Sequence, residues 1–131
     1  MLFRSAAPAS DATAAAFASI ACKIVGEGGT VLIPESDPLL ASAVFRRATL
    51  GPVPPHATLA YGQPFAQRGL HIVATESEHW VENLTGLGAC GAHLALTLVS
   101  SHARQGHLML PVLQVAESAQ SNSIEIGRAH V

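Results

Sequence analysis

Three short polar stretches carry the residue types that could do chemistry: Glu35-Ser36-Asp37, Thr75-Glu76-Ser77-Glu78 and Ser100-Ser101-His102-Ala103-Arg104. Each follows an aliphatic run, Val31 to Ile33, Leu70 to Ala74 and Leu94 to Val99, of the kind that forms strands covered on both faces. In a parallel sheet, ligands collect beyond the carboxyl ends of the strands, so the three stretches are expected along one edge. Together they offer hard oxygen ligands, a basic imidazole and a guanidinium. That set suits a divalent cation holding a hydroxy-carboxylate, in which the cation polarises the carboxylate while a base removes the adjacent proton and hydroxide leaves. The same residues have ordinary alternatives, with Glu35, Asp37 and Glu78 as helix caps and Ser101, His102 and Arg104 as a solvated loop. His79, His93, His102 and His107 lack the His-x-x-x-His spacing of a preformed zinc site. Ser101 and His102 are no nucleophile pair, because neighbours in an extended chain point to opposite sides.

A second pattern is Gly86-Leu-Gly88-Ala-Cys-Gly91, which satisfies the three-glycine dinucleotide fingerprint. That fingerprint needs a strand ending at its first glycine, a helix beginning there and an acid after the next strand. Ala92 to Gln105 as the helix and Glu117 as the acid can be fitted to it. The competing reading is a helix from Glu78 to Gly91 packed on a sheet, with Gly88 and Gly91 at the close contact. Trp80, Val81, Leu84, Leu87 and Gly91 fall on one stripe, and Thr75 with Glu78 forms a capping-box signature.

The elements that position these residues follow in order. Ser10 or Asp11 starts a helix whose stripe is Phe17, Ile20, Ala21 and Ile24, and Gly26, Gly28 and Gly29 end it. Thr30 to Pro34 is a strand. Asp37 caps a helix with Pro38 at its first position, with Leu40, Ala43 and Val44 facing inward and Arg46 and Arg47 at its end. Gly51 to Pro55 is a proline-rich connector, and His56 to Tyr61 reads as a short edge strand. Alternation of strands and helices predicts an α/β fold: a mostly parallel sheet of four to five strands with helices on its faces, in a Rossmann-like three-layer arrangement.

The chain has 131 residues, enough for one domain with a core. With 49 % hydrophobic and only 12 % charged residues, and a mean hydropathy of +0.34, part of its surface is expected to be covered by a partner. The formal net charge is -2 and Arg46-Arg47 is the one cationic pair, which argues against nucleic acid. No apolar run is long enough to span a membrane. The alanine-rich start resembles an export signal, but Asp11 interrupts it and an amphipathic helix fits better. Cys22 and Cys90 have no metal-type spacing and read as small buried residues in a reducing compartment, with a disulfide as the alternative.

The run from Gly69 to Ser118 resembles the C-terminal domain of the galactarate dehydratase and altronate dehydratase family. That family has a glycine-led strand, Glu-x-x-Thr-Gly, an Ala-Gly-Ala turn, an apolar strand, a Thr-Thr-Gly-Arg-Gly loop and a Pro-Val-x-x-Val strand. Gly69-Leu70, Glu82, Thr85-Gly86, Gly91-Ala92, Gly106 and Pro111-Val112 match this frame, and Gly28-Gly29-Thr30-Val31-Leu32 followed by Glu35 resembles the strand before it. The resemblance covers about residues 11 to 118. Three places depart: the family's Thr-Thr-Gly-Arg-Gly is Leu98-Val99-Ser100-Ser101-His102 here, its Asp-x-Pro is Thr75-Glu76-Ser77, and the connector after Arg47 is shorter than in typical members.

The resemblance implies a hydro-lyase acting on a galactarate- or altronate-like hydroxy acid in the cytoplasm, with iron, manganese or magnesium as the divalent metal. In that frame Glu35, Asp37 and Glu76 are the metal candidates, Thr85, Gly86, Ser100 and Ser101 the substrate-binding candidates, and His102 and Arg104 the catalytic candidates. Family enzymes are several hundred residues long, so the chain is expected to be a fragment or a diverged member. Its partner would then be an upstream domain of the same enzyme or a second copy. The alternatives are a dinucleotide-binding module using Gly86, Gly88 and Gly91, and a noncatalytic packing or oligomerisation domain. Disorder is expected over residues 1–10 and 119–131, around a domain from 11 to 118. Residues 125–131, Glu-Ile-Gly-Arg-Ala-His-Val, back-translate to GAGATCGGAAGAGCACACGTC, a common sequencing-adapter sequence, so the end of this tail is expected to be translated adapter.

Overall fold

A computed structural model describes residues 2–5, 10–99, 106–117 and 124–128. Its first long element is α1 (Asp11–Gly26). The Ser10 hydroxyl accepts the Thr13 N–H at 3.3 Å, and Asp11 and Lys23 stand at the ends that suit the helix dipole. Thr13, Ala14, Phe17, Ala18 and Ala21 are buried, whereas Ile20 is 40 % exposed, so the predicted stripe is rotated toward the alanines. Small side chains let the helix lie close on the sheet, and Phe17 supplies the bulk. Ala14 and Ala18 are therefore committed to this core, while Ala12 and Ala15 are exposed. Beyond the helix the chain doubles back at Gly28, whose φ is +87°, and a Cβ at Gly29 would stand 2.6 Å from Ile24 Cγ2.

The strands are β1 (Leu2–Ser5), β2 (Val31–Pro34), β3 (Leu70–Val73), β4 (Ala95–Val99), β5 (Val112–Glu117) and β6 (Ile124–Arg128). They form one sheet in the order β3-β2-β1-β4-β5-β6. All neighbours are parallel except β5 and β6. Val31, Ile33, Leu70, Leu96, Leu98 and Val115 meet the core that contains α1. Leu32, Val73, Ala95 and Val112 meet the opposite core, which contains α3 (Trp80–Ala89), so helices lie on both faces. Six strands replace the four to five expected. The additional ones, β1 and β6, fall in stretches expected to lack structure, because a strand this short owes its existence to neighbours far away in sequence.

The helix predicted from Asp37 is split into a 3-10 turn (Pro38–Ala41) and α2 (Ala43–Thr49). Ser42 takes ψ 121° between them and caps α2 by accepting the Phe45 N–H at 3.2 Å. Leu39, Leu40, Phe45 and Thr49 are buried there, while Ala43 is exposed, so Phe45 takes the place predicted for Ala43, and Val44 packs half-buried against the same core. The predicted strand at His56 to Tyr61 reduces to a bridge between Leu59 and Val73. His56 N–H and Leu59 N–H donate to Leu70 O and Ile72 O across it. Both cysteines are free. Among the described residues no helix is long and apolar enough to cross a membrane.

Candidate functional site

The polar stretches after β2 and β3 meet. Their approach begins in the backbone, where Glu35 N–H donates to Val73 O at 2.9 Å. The Thr75 N–H then reaches Glu35 Oε1 at 3.2 Å, and the Thr75 hydroxyl reaches Ser36 Oγ at 3.1 Å. Register explains this contact, since Pro34 pairs with Val73 and the residues that follow leave the sheet side by side. Glu35, Ser36 and Thr75 thus form a polar edge that is open to solvent.

Asp37 is oriented differently. It is 2 % exposed, and its Oδ1 accepts the Leu39 N–H at 2.9 Å, so its carboxylate caps the 3-10 turn. Glu76 is exposed. Among the described residues no three His, Cys, Asp or Glu side chains stand close enough together to hold a metal. The predicted trio of Glu35, Asp37 and Glu76 is therefore not assembled as a ligand set, because the demand of the buried turn for a cap takes Asp37 inward.

The next loop leads into α3. The helix begins two residues later than predicted, with His79 at the N-cap and no side-chain cap bond. The Thr75–Glu78 capping box is absent, since Thr75 is bound to Glu35 and Ser36. Ser77 takes over, accepting the His79 N–H at 3.2 Å and donating to Glu82 Oε2 at 2.9 Å. Tyr61 donates to Glu82 O at 2.7 Å. Its phenol is pushed above the ordinary range, chiefly by desolvation and then by Glu82 and Glu76.

The glycine pattern lies within and just beyond this helix. Gly86 and Gly88 are helical and Gly91 follows at φ +116°, so the strand that a dinucleotide fingerprint needs before Gly86 is not there. The close contacts are at Gly86, where a Cβ would meet the Tyr61 ring at 2.2 Å, and at Gly91, as expected, where it would meet Phe65 Cε1 at 2.8 Å. Gly88 has nothing within 4 Å, contrary to its predicted packing role. Burial also raises the pKa of the Cys90 thiol, which keeps it protonated and unreactive at neutral pH.

Of the substrate-binding candidates, Gly86 thus supports the Tyr61 ring. Thr85 donates to Val81 O at 2.8 Å and lies 2.9 Å from His107 Nε2. With the threonine proton given to Val81, His107 Nε2–H is the donor in that pair, and its Nδ1 accepts the Met109 N–H at 3.2 Å. Thr85 and His107 therefore fasten the approach to β5 onto α3, a tie between residues 22 positions apart that no local pattern announces. Ser100, Ser101, His102 and Arg104 lie outside the described residues, in the stretch that follows β4. Asn83 is also missed by sequence reasoning. It is 1 % exposed, and neither end of its amide has a hydrogen-bond partner. The chain matches no family model and no curated protein.

Proposed function

We propose that the chain is the C-terminal portion of a metal-dependent sugar-acid dehydratase, a hydro-lyase removing water from a galactarate- or altronate-like hydroxy acid. The observation that carries this reading is the convergence of Glu35, Ser36 and Thr75 at the carboxyl ends of β2 and β3. Three features support it. The strand order β3-β2-β1-β4-β5-β6 is that of Rossmann-like three-layer folds, whose ligands sit beyond the carboxyl ends near the point where the order reverses. The stretch holding Ser100, Ser101, His102 and Arg104 follows β4 in the sequence. The family frame, finally, spans these same loops.

In this reading the Glu35–Thr75 edge receives the polar end of the hydroxy acid. Ser36 and Thr75 hydroxyls position its oxygens, and His102 and Arg104 move a proton and hold a carboxylate. The resemblance brings a divalent ion, iron, manganese or magnesium. Glu35 and Glu76 are the exposed metal candidates in these loops, and the remaining ligands belong to the upstream portion of the enzyme or to a second copy. The reading places the chain in the cytoplasm, where free Cys22 and Cys90 stay reduced. A dinucleotide module is disfavoured by the helical glycines and by the sequence after β1, Ala6-Ala7-Pro8-Ala9, which has no glycine to cradle a pyrophosphate.

Titration of the labelled chain with galactarate or altronate, with and without manganese or magnesium, tests this by amide NMR. Shifts centred on residues 35–37 and 75–77 are expected. Saturation without any change at those amides refutes the reading.

A further inference from the structure

A pair of imidazoles stands side by side at the outer edge of the sheet. His71 of β3 is 3 % exposed, and its Nε2 lies 2.6 Å from Gln67 O. His56, exposed and joined to β3 through its backbone, places Nε2 2.8 Å from Arg68 O. A carbonyl only accepts, so each Nε2 carries the proton and each Nδ1 is left with a lone pair. The His71 Nδ1 is buried with no hydrogen-bond partner. Two successive carbonyls therefore fix two neighbouring rings in the same tautomer, which is how proteins prepare histidines to bind metals.

The ring separation sets the geometry that a shared ion would have. The ring centres are 4.9 Å apart and tilted by 33°, and Phe65 stacks on His71 with centres 6.0 Å apart. An ion at the usual distance of roughly 2.0–2.1 Å from each Nδ1 would lie about 3.2 Å from each ring centre. The two rings would then subtend about 100° at it, between a square-planar and a tetrahedral angle. Beside the pair is a cavity of about 200 Å³ lined by His56, Leu59, Gln63, Gln67 and His71, among others. It has no carboxylate in its wall, which selects against hard cations and for ions that favour imidazole.

We propose that His56 and His71 form a site for a late first-row divalent ion of the copper, nickel and zinc class, bound through both Nδ1 atoms and completed by water. It stands apart from the Glu35–Thr75 edge and does not depend on the function proposed above.

The test is titration of the full chain with zinc and with copper, read by imidazole nitrogen NMR and calorimetry. The metal-free protein should show both rings as Nε2–H tautomers. One equivalent of zinc should shift the Nδ1 signals of His56 and His71 before those of the other histidines. His56→Ala, at an exposed position, should weaken binding by about tenfold or more while the metal-free protein still unfolds cooperatively, and His93→Ala should leave binding unchanged. His71→Asn checks the second ligand if the first variant fails to fold. Equal affinity in either variant, the opposite tautomer, or first shifts at other histidines would overturn the site.

The residues at the two ends of the chain carry a second, independent inference. The reverse complement of the adapter sequence matched by residues 125–131 contains GTGCTCTTCCGATCT, which, started at GTG, reads Met-Leu-Phe-Arg-Ser, the residues at positions 1–5. We infer that both ends of the chain are one oligonucleotide read in its two orientations. β1 and most of β6 then occupy seats in the sheet that other residues fill in the natural protein. Sequencing the source DNA by a route free of that oligonucleotide should return different codons at both ends. The same codons at either end would overturn the inference.

Discussion

Adding a single methyl group at two positions of α3 should change stability in opposite directions. At Gly86 a Cβ would lie 2.2, 2.6 and 2.8 Å from three atoms of the Tyr61 ring, whereas at Gly88 nothing lies within 4 Å. The ring cannot move far without giving up its bond to Glu82 O. Overpacking costs about 1–3 kcal/mol and the lost hydrogen bond about 1, while replacing a helical glycine returns about 1. Gly86→Ala should therefore destabilise by about 1–3 kcal/mol, and Gly88→Ala should stabilise by roughly 0.5–1. In equilibrium urea unfolding followed by circular dichroism, a loss of about 2 kcal/mol moves the midpoint by roughly 1 M. Tyr61→Ala gives the control, because in that background Gly86→Ala should become stabilising. If both alanines shift the midpoint in the same direction, or if removal of the ring does not reverse the sign at Gly86, the packing argument fails.

Four further outcomes are expected. The isolated chain should not dehydrate galactarate or altronate with added iron, manganese or magnesium, and turnover above a metal-only blank would contradict this. Asn83→Leu should raise stability by about 1–3 kcal/mol, since the amide is buried without partners; a fall in the unfolding midpoint would show the amide to be engaged. Because burial raises the Cys90 pKa in the folded state, the folded thiol keeps its proton where the unfolded one ionises. Stability should therefore fall as pH rises through the unfolded value of about 8.5, and Cys90→Ala should flatten that limb of the curve. Finally, Leu108 and Met109 are 83 % and 86 % exposed, so the chain alone should self-associate; sedimentation as a monomer at tens of micromolar would argue against a covering partner.

What could be read from the sequence is what local pattern determines. Val31 to Ile33, Leu70 to Val73 and Ala95 to Val99 are aliphatic runs, interrupted by His71 and Thr97 alone, that suit buried parallel strands, and Trp80, Leu84 and Leu87 repeat at helical spacing. The remainder depends on distant partners. Ile20 and Ile24 outweigh the alanines on any hydrophobicity scale, yet it is the alanine face that fits against the sheet. Thr75 resembles a helix cap until Glu35, 40 positions away, claims its N–H. Asp37 carries the same carboxylate as Glu35, and only the burial of the following turn separates their roles. His56 and His71 gave no signal because their pairing follows from the bridge of the 56–59 segment to β3, not from any spacing motif.

That bridge also bears on how copies of the chain can associate. The outer edge of β3, Leu-His-Ile-Val, would otherwise present a row of apolar residues with open backbone groups, the template on which cross-β assemblies grow. His56 and Leu59 occupy its carbonyls at Leu70 and Ile72, and Pro54 and Pro55, just before them, cannot extend the pairing to another strand. Aggregates of this chain should then form face to face rather than by strand addition, and should leave an amyloid-sensitive dye dark even at concentrations where they scatter light.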